Sequence, residues 1–366
     1  MSSNQPDQNT AVAVVGVGRM GRHHARTCHQ MPNADLKAVV DFDSDRAQAV
    51  AQEYGCAAYG TVREMLEAHR EIAAVTVAVP TQFHRAAAEP LLKRGIACLI
   101  EKPLAPTVDD ARALVDCAEK HGAVLQVGHT ERFNPALRAA QALNFNARFM
   151  QAQRVSPMTF RSLDVGVVMD MMIHDLDIVL MLAGSPIRSV HATGVAVLGE
   201  HEDIAEARLV FENGCVANVT ASRMATGTRR TLGVFSESGY VSLNYQTRDG
   251  IVVHTGGENQ EALAKVREQV ARGVDLSGLD YLDVLKVQRL SFDTPPGEED
   301  QLTAEQNNFL GAARGESLPA VDGRAGLAAV DAAQRVVRAI DEHTCERMQG
   351  PALLSSLPMN SFEGSA

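Results

Sequence analysis

The chain lacks most of what would tie it to a membrane, a nucleic acid or an oxidising compartment. No apolar run reaches the about 18 residues needed to span a bilayer. The longest apolar region, 165–183, is broken by Asp170, His174, Asp175 and Asp177. Lys and Arg number 34 against 45 Asp and Glu, a net charge of −11 with no basic run. A nucleic-acid surface is therefore not expected, although an acidic chain can still hold a local basic pocket for a phosphorylated ligand. The six cysteines, Cys28, Cys56, Cys98, Cys117, Cys215 and Cys345, are scattered with no C-x-x-C pair. That spacing suggests neither a zinc ribbon nor a disulfide framework. It reads as reduced thiols in a cytoplasmic protein. Residues 1–10 are polar, without the apolar stretch of a secretory leader.

What is present is two textures in succession. The 366 residues suffice for two domains with real cores. Up to residue 129, short apolar runs (11–16, 36–40, 74–79, 96–100, 124–127) alternate with helical spacing (19–30, 45–54, 62–69, 82–94, 108–121). That alternation predicts βαβ units and a parallel sheet. Beyond residue 130, strand-like runs dominate (189–198, 205–211, 215–222, 230–236, 239–244), and Asn213-Gly214 is a hairpin signal. Helices are expected over 168–183 and 324–341, and 256–300 has charged helical texture.

Gly16-x-Gly18-x-x-Gly21 follows the first predicted strand and opens the first predicted helix, the context a dinucleotide fingerprint requires. Gly16 permits the tight turn, Gly18 the approach of a pyrophosphate, and Gly21 close helix–strand packing. The helix start, with Arg19 and Met20, offers oriented N–H groups to phosphate. Asp41 ends the second strand, 25 residues after Gly16. A carboxylate there accepts from the ribose hydroxyls and repels a 2′-phosphate. No basic residue directly follows it, Arg46 being the nearest, so NAD is expected over NADP. Pro80, Thr81 and His84 lie at the fourth strand's C-terminal edge, where ligands bind in open α/β sheets. Thr81 can equally cap a helix, and His84 can equally be a surface histidine.

Lys102 ends a predicted buried strand, a costly place for an ammonium without a task. Glu101 is placed to pair with it, and both are expected beside the cofactor; an ordinary Lys–Glu surface pair is the alternative. Asp170 and His174, spaced i, i+4, share one helix face. There a carboxylate can orient a hydroxyl while an imidazole takes its proton. Such a pair can also bind zinc or iron, but no companion such as H-E-x-x-H exists and no metal is expected. A buried structural Asp–His pair is the remaining alternative. Arg132, Asn134 and Arg161 are candidates for substrate hydroxyls or phosphate.

Together these residues resemble the glucose–fructose oxidoreductase, inositol dehydrogenase and rhizopine-catabolism family (Gfo/Idh/MocA). The resemblance spans nearly the whole chain: VGVGRMG, Asp41, VPTQFH, Glu101-Lys102-Pro103, residues 128–135, Asp170-x-x-x-His174 and the late segment 318–323. It implies an α/β Rossmann domain over 1–129 with a parallel sheet and bound NAD. It also implies an α+β substrate and oligomerisation domain over 130–345 with an open, mostly antiparallel sheet, and a tail over 346–366. The helix 324–341 is expected to pack back on the first domain. The implied reaction is hydride transfer from a sugar-ring carbon, with Lys102, Asp170 and His174 catalytic and either Lys102 or His174 the base. The implied partners are a sugar or nucleotide-sugar substrate and a second copy, as dimer or tetramer. Many members carry a glycine-rich stretch before the aspartate, whereas this chain reads DVGVVM over 164–169. That departure, with ERFNPA, looks most like the nucleotide-sugar branch. The rival readings are a free-sugar or inositol dehydrogenase, a non-catalytic NAD sensor, and a glycosidase using NAD transiently.

Overall fold

The computed structural model describes residues 9–143, 146–159, 164–198, 200–291 and 300–348. The first half runs β1 (Thr10–Val15), α1 (Arg19–Gln30), β2 (Ala34–Val40), α2 (Ser44–Tyr54), β3 (Ala57–Tyr59), α3 (Val62–Ala68), β4 (Ala74–Val77), α4 (His84–Leu92), β5 (Ala97–Glu101), α5 (Val108–His121) and β6 (Leu125–Gly128). The strands pair in parallel in the order β3-β2-β1-β4-β5-β6. Helices cover both faces, so the strands are buried on both sides and need no alternation; all four residues of β4 are buried. Local chemistry fixes the helix ends. Thr61 and Glu64 form a reciprocal capping box on α3, and Asp43 and Thr107 cap α2 and α5. The strand order reverses between β1 and β4, and a crevice opens there at the strands' carboxyl ends.

The second half holds α6 (Pro135–Ala142), β7 (Phe149–Val155), α7 (Ile173–Ala183), β8 (Ile187–Val195), β9 (Ile204–Phe211), β10 (Val216–Ser222), β11 (Arg229–Ser236), β12 (Gly239–Asn244), β13 (Asp249–His254), α8 (Glu258–Ala271), α9 (Tyr281–Val284), β14 (Gln288–Ser291), α10 (Gln301–Ala313) and α11 (Gly323–Met348). Its sheet order is β14-β13-β12-β11-β7-β10-β9-β8, antiparallel except where β7 pairs with β10. Along β9, Ala205, Ala207, Leu209 and Phe211 point inward and alternate with Glu206 and Arg208. Helices α7 and α11 lie against this sheet. Asn213-Gly214 makes the β9–β10 turn with Gly214 at φ +84°, as its spacing predicts. Helix α11 also reaches the first sheet: Gly326 lies against Val127, Gly323 against Leu125, and Arg324 pairs with Glu119.

Several elements differ from the sequence reading, β3, α6, α10 and β14 among them. β7 and β13 were not anticipated, and β8 starts and ends earlier than the apolar run suggests. α10 has no clear apolar stripe, yet it plugs the underside of the first domain through Phe309 and Leu310.

Candidate active site

The crevice mouth encloses about 790 Å³ and is lined by Gly16, Gly18, Arg19, Met20, Asp41 and Pro80, among others. Each glycine is required for a different reason. Gly16 adopts φ +84°, and a Cβ there would sit 2.7 Å from Val79 N. A Cβ on Gly21 would strike the Gly16 carbonyl. At Gly18 a Cβ would meet no atom of the described residues within 4 Å. Its lack of a side chain keeps space open in front of the α1 N-terminus, whose N–H groups have no side-chain cap. That open cradle fits a pyrophosphate.

Asp41 is buried at the β2 end, its carboxylate accepting from Val17 N at 2.9 Å and Asp43 N at 3.0 Å. Arg46 modifies the sequence reading. Although five residues on, it reaches back from α2 to both Asp41 oxygens, at 3.2 and 3.3 Å, and to Asp43 at 2.8 Å. The Asp41 carboxylate is thus charge-compensated, while the acidic pair Asp41 and Asp43 still outnumbers the one arginine. Phe42, exposed at the crevice lip with the Arg46 guanidinium 5.8 Å from its ring, was not singled out from sequence.

His84 is neither on the surface nor turned to the crevice. It is 1% exposed, with Nε2 2.9 Å from Val79 O and Nδ1 3.0 Å from Pro103 O. It braces the loop after β4 against the loop after β5, and burial lowers its pKa below the ordinary value. Thr81 begins a short 3-10 turn over Thr81–Phe83 and caps nothing through its side chain.

Glu101 also departs from expectation. Its carboxylate does not pair with the Lys102 ammonium and is tucked beneath the site. His24 Nε2 meets Oε1 at 2.7 Å, and Oε2 accepts the Lys102 backbone N–H at 3.2 Å. His24 Nδ1 faces Gln306 Nε2 at 2.8 Å, and that amide also donates to Thr76 Oγ1. Burial alone would raise the Glu101 carboxyl, but the His24 hydrogen bond and the nearby Lys102 charge hold it below the usual carboxylate range. Glu305, bonded to Thr130, goes the other way: burial and the Glu101 charge push it well above that range.

The Lys102 ammonium turns instead toward the second half. It donates to Asp170 O at 2.7 Å and lies 3.5 Å from Asp170 Oδ1. Asp170 lies in a π-helical turn, Val168–Met172, that runs into α7 carrying His174. The two residues are therefore not stacked on a regular α-helical face as the i, i+4 spacing implies. A π-turn inside a helix is a recurrent mark of functional sites. The entry to this turn is clamped. Val167 N and Val168 N donate to Glu202, and Arg223 donates to Val165 O while pairing with Asp203 at 2.6 Å. Gly166 packs against the Glu202 carboxylate, which a side chain at this position would have to displace from Val168 N.

His174 is half-buried, and its Nδ1 is shielded from solvent with no hydrogen-bond partner among the described residues. Burial, then the Lys102 and Arg154 charges, push its pKa well below the ordinary 6.5. A neutral imidazole able to take a proton is the result. His129 stands edge-on to it, ring centroids 6.4 Å apart. The acidic residues flanking His174 are structural. Asp175 forks onto Arg154 at 2.7 and 3.1 Å, and Asp177 onto Arg132 at 2.6 Å through both oxygens.

The nominated substrate contacts fare differently from Lys102 and Asp170. Arg132 is committed to Asp177. Asn134 is 1% exposed and caps α6, accepting from Ala136 N and donating to Glu131. Both are occupied by the protein itself. Arg161 lies outside the described residues. His24, Gln306, Glu202 and Arg223, which hold the site together, carry no motif that would single them out in sequence.

Comparison with known proteins agrees with this architecture. The model of an oxidoreductase family with an NAD-binding Rossmann fold, Gfo/Idh/MocA, matches residues 10–129, and the Gfo/Idh/MocA C-terminal domain matches 140–242. The UDP-N-acetylglucosamine 3-dehydrogenase of Acidithiobacillus ferrooxidans is 34% identical over 329 residues, 90% of this chain and 96% of that protein. A solved structure of that enzyme superposes with TM-score 0.78 at 31% identity, over 91% of this chain and 98% of its own. An inositol 2-dehydrogenase of Rhizobium meliloti is 29% identical over 66% of this chain and 78% of its own. No described helix is long and apolar enough to cross a membrane. The chain belongs to the Gfo/Idh/MocA family, and it is an NAD-dependent oxidoreductase acting on a CH–OH group.

Proposed function

We propose that the chain oxidises C3 of UDP-N-acetylglucosamine to the 3-keto sugar, for later transamination in lipid A or surface-glycan synthesis. The observation that carries the substrate class is the end-to-end likeness to the Acidithiobacillus enzyme, across both halves of the chain. The inositol relative is matched over a smaller share of this chain, and the glycine-rich stretch before the aspartate is absent. The protein acts in the cytoplasm as a homo-oligomer, a dimer or tetramer.

The Gly16–Gly21 turn, the α1 N-terminus and Asp41 would hold NAD, which would supply a hydride acceptor. His174, kept neutral by burial and nearby cations, takes the hydroxyl proton as the C–H bond breaks. Lys102 donates to the oxygen as it becomes a carbonyl, and Asp170 holds the ammonium and the substrate in register. The carbon loses two electrons with the hydride, and the proton leaves through His174.

The test is NADH formation at 340 nm with UDP-N-acetylglucosamine, glucose and myo-inositol in parallel, with an aminotransferase and glutamate drawing off the ketone. NADH and a 3-amino product with the UDP-sugar alone supports the reading. Turnover only with a free sugar or polyol, the reading the inositol relatives favour, overturns the nucleotide-sugar assignment.

A further inference from the structure

The cations that act on His174 are Lys102, Arg154 and Arg230. Two of them are already engaged. Lys102 is held by Asp170. Arg154, its side chain 4% exposed, is committed to both Asp175 oxygens and to Glu131 at 3.1 Å. Arg230 differs. It sits directly across from Arg154 in the β11–β7 pairing, so the two side chains share a sheet face. It is also on the same side of β11 as the buried Leu232 and Val234, the side that faces inward.

Yet Arg230 is 47% exposed, because it lies at the strand end beyond the covered core. Its contact with Glu131 is 3.7 Å, too long for a hydrogen bond, and that carboxylate is already satisfied by Arg154. A guanidinium with no hydrogen bond from its side chain among the described residues, held only by a long ion pair, can turn its planar fork to an outside anion.

We propose that Arg230 binds the diphosphate of the nucleotide-sugar substrate and so selects it over neutral sugars. This rests on the nucleotide-sugar reading above. It replaces Arg132 and Asn134, whose polar groups the protein uses internally. Because the contact lies away from the reacting carbon, Arg230 contributes to binding more than to the chemical step.

The experiment measures KM and kcat for UDP-N-acetylglucosamine, and calorimetric binding of UDP to the NAD-loaded protein, for wild type, Arg230→Ala and Arg230→Lys. The expected result is a loss of about 10- to 100-fold in KM and in UDP affinity for Arg230→Ala. The value of kcat should stay within about threefold, and Arg230→Lys should recover part of the loss as a point charge without the fork. An unchanged KM and UDP affinity in Arg230→Ala, while wild type turns over the UDP-sugar, overturns the role of Arg230 and leaves the proposed function standing. An equal fall in NAD affinity and melting temperature overturns it in favour of a purely structural arginine. Wild type that oxidises only neutral polyols and does not bind UDP overturns the substrate reading and this inference together.

Discussion

Gly18→Ala and Gly21→Ala should fail in opposite ways, because the two glycines answer to different neighbours. At Gly21 the new methyl would meet the backbone carbonyl of Gly16, part of a tight turn at φ +84° that cannot swing aside. Overpacking of this kind costs about 1–3 kcal/mol, against a helix-propensity gain of about 1 kcal/mol. With a rigid neighbour the upper end applies, a net loss of about 2 kcal/mol. For a domain of this size that lowers the melting temperature by roughly 4–8 °C. At Gly18 no atom of the described residues is within 4 Å of the added carbon. The poorer N-cap costs a few tenths to about 1 kcal/mol, and the stiffer unfolded chain returns about as much. The apoprotein should therefore melt within about 3 °C of wild type. The methyl does occupy the space left for the pyrophosphate, so NAD should bind at least about tenfold more weakly, a loss of about 1.4 kcal/mol. Thermal melts without cofactor and calorimetric titration with NAD separate the two effects. Gly18→Ala binding NAD like wild type would refute the argument, as would both variants melting equally low.

Lys102→Ala and His174→Ala should each cut turnover by about 10²- to 10⁴-fold with NAD affinity retained. Near-wild-type turnover in both, by single-turnover absorbance, sinks the catalytic assignment. A third prediction concerns acid stability. His129 is 1% exposed, its ring nitrogens have no hydrogen bond among the described residues, and burial holds its pKa below 6.5 despite Asp177 at 4.0 Å. Below pH 6.5 the unfolded chain takes up a proton there that the folded chain refuses, so this contribution is present above 6.5 and lost as pH falls through the folded pKa, by up to about 1.4 kcal/mol per pH unit. His129→Asn should accordingly lose less melting temperature than wild type between pH 7.5 and 5.5; parallel curves would refute it.

The fold was legible where one local rule decides. Apolar runs and glycine punctuation marked five of the six strands of the first sheet, the short edge strand β3 being missed, and Asn213-Gly214 marked the β9–β10 hairpin. It was not legible where partners are remote. α10 is positioned by contacts nearly 300 residues distant, such as Gln306 to His24. β7 takes its place through a parallel pairing with β10 that no hairpin signal announces. Within the site, spacing brought Lys102 and Asp170 to notice but could not see the π-turn under Asp170. Arg132 and His84 look like ligand contacts because charge and position suggest it. Only the partner across space, Asp177 for one and three backbone carbonyls for the other, reveals that they are occupied.

The Glu101 result shows why that distinction matters for chemistry. Had Glu101 paired with the Lys102 ammonium, it would have taken donors that a reacting oxygen needs and held the charge back toward the first domain. Instead Glu101 grips the Lys102 backbone, and His24 and Gln306 hold Glu101 from below. The strand end is fixed through its main chain, while the side chain extends toward Asp170. An ammonium has three donors, and one goes to the Asp170 carbonyl, which leaves the others for the substrate oxygen proposed above. The clamp on the far side is analogous: Glu202 and Arg223 take backbone groups of 165–168 and leave the Asp170 carboxylate partly exposed. In both halves the bracing acts on the main chain, so the Lys102 ammonium and the Asp170 carboxylate meet without being claimed by it.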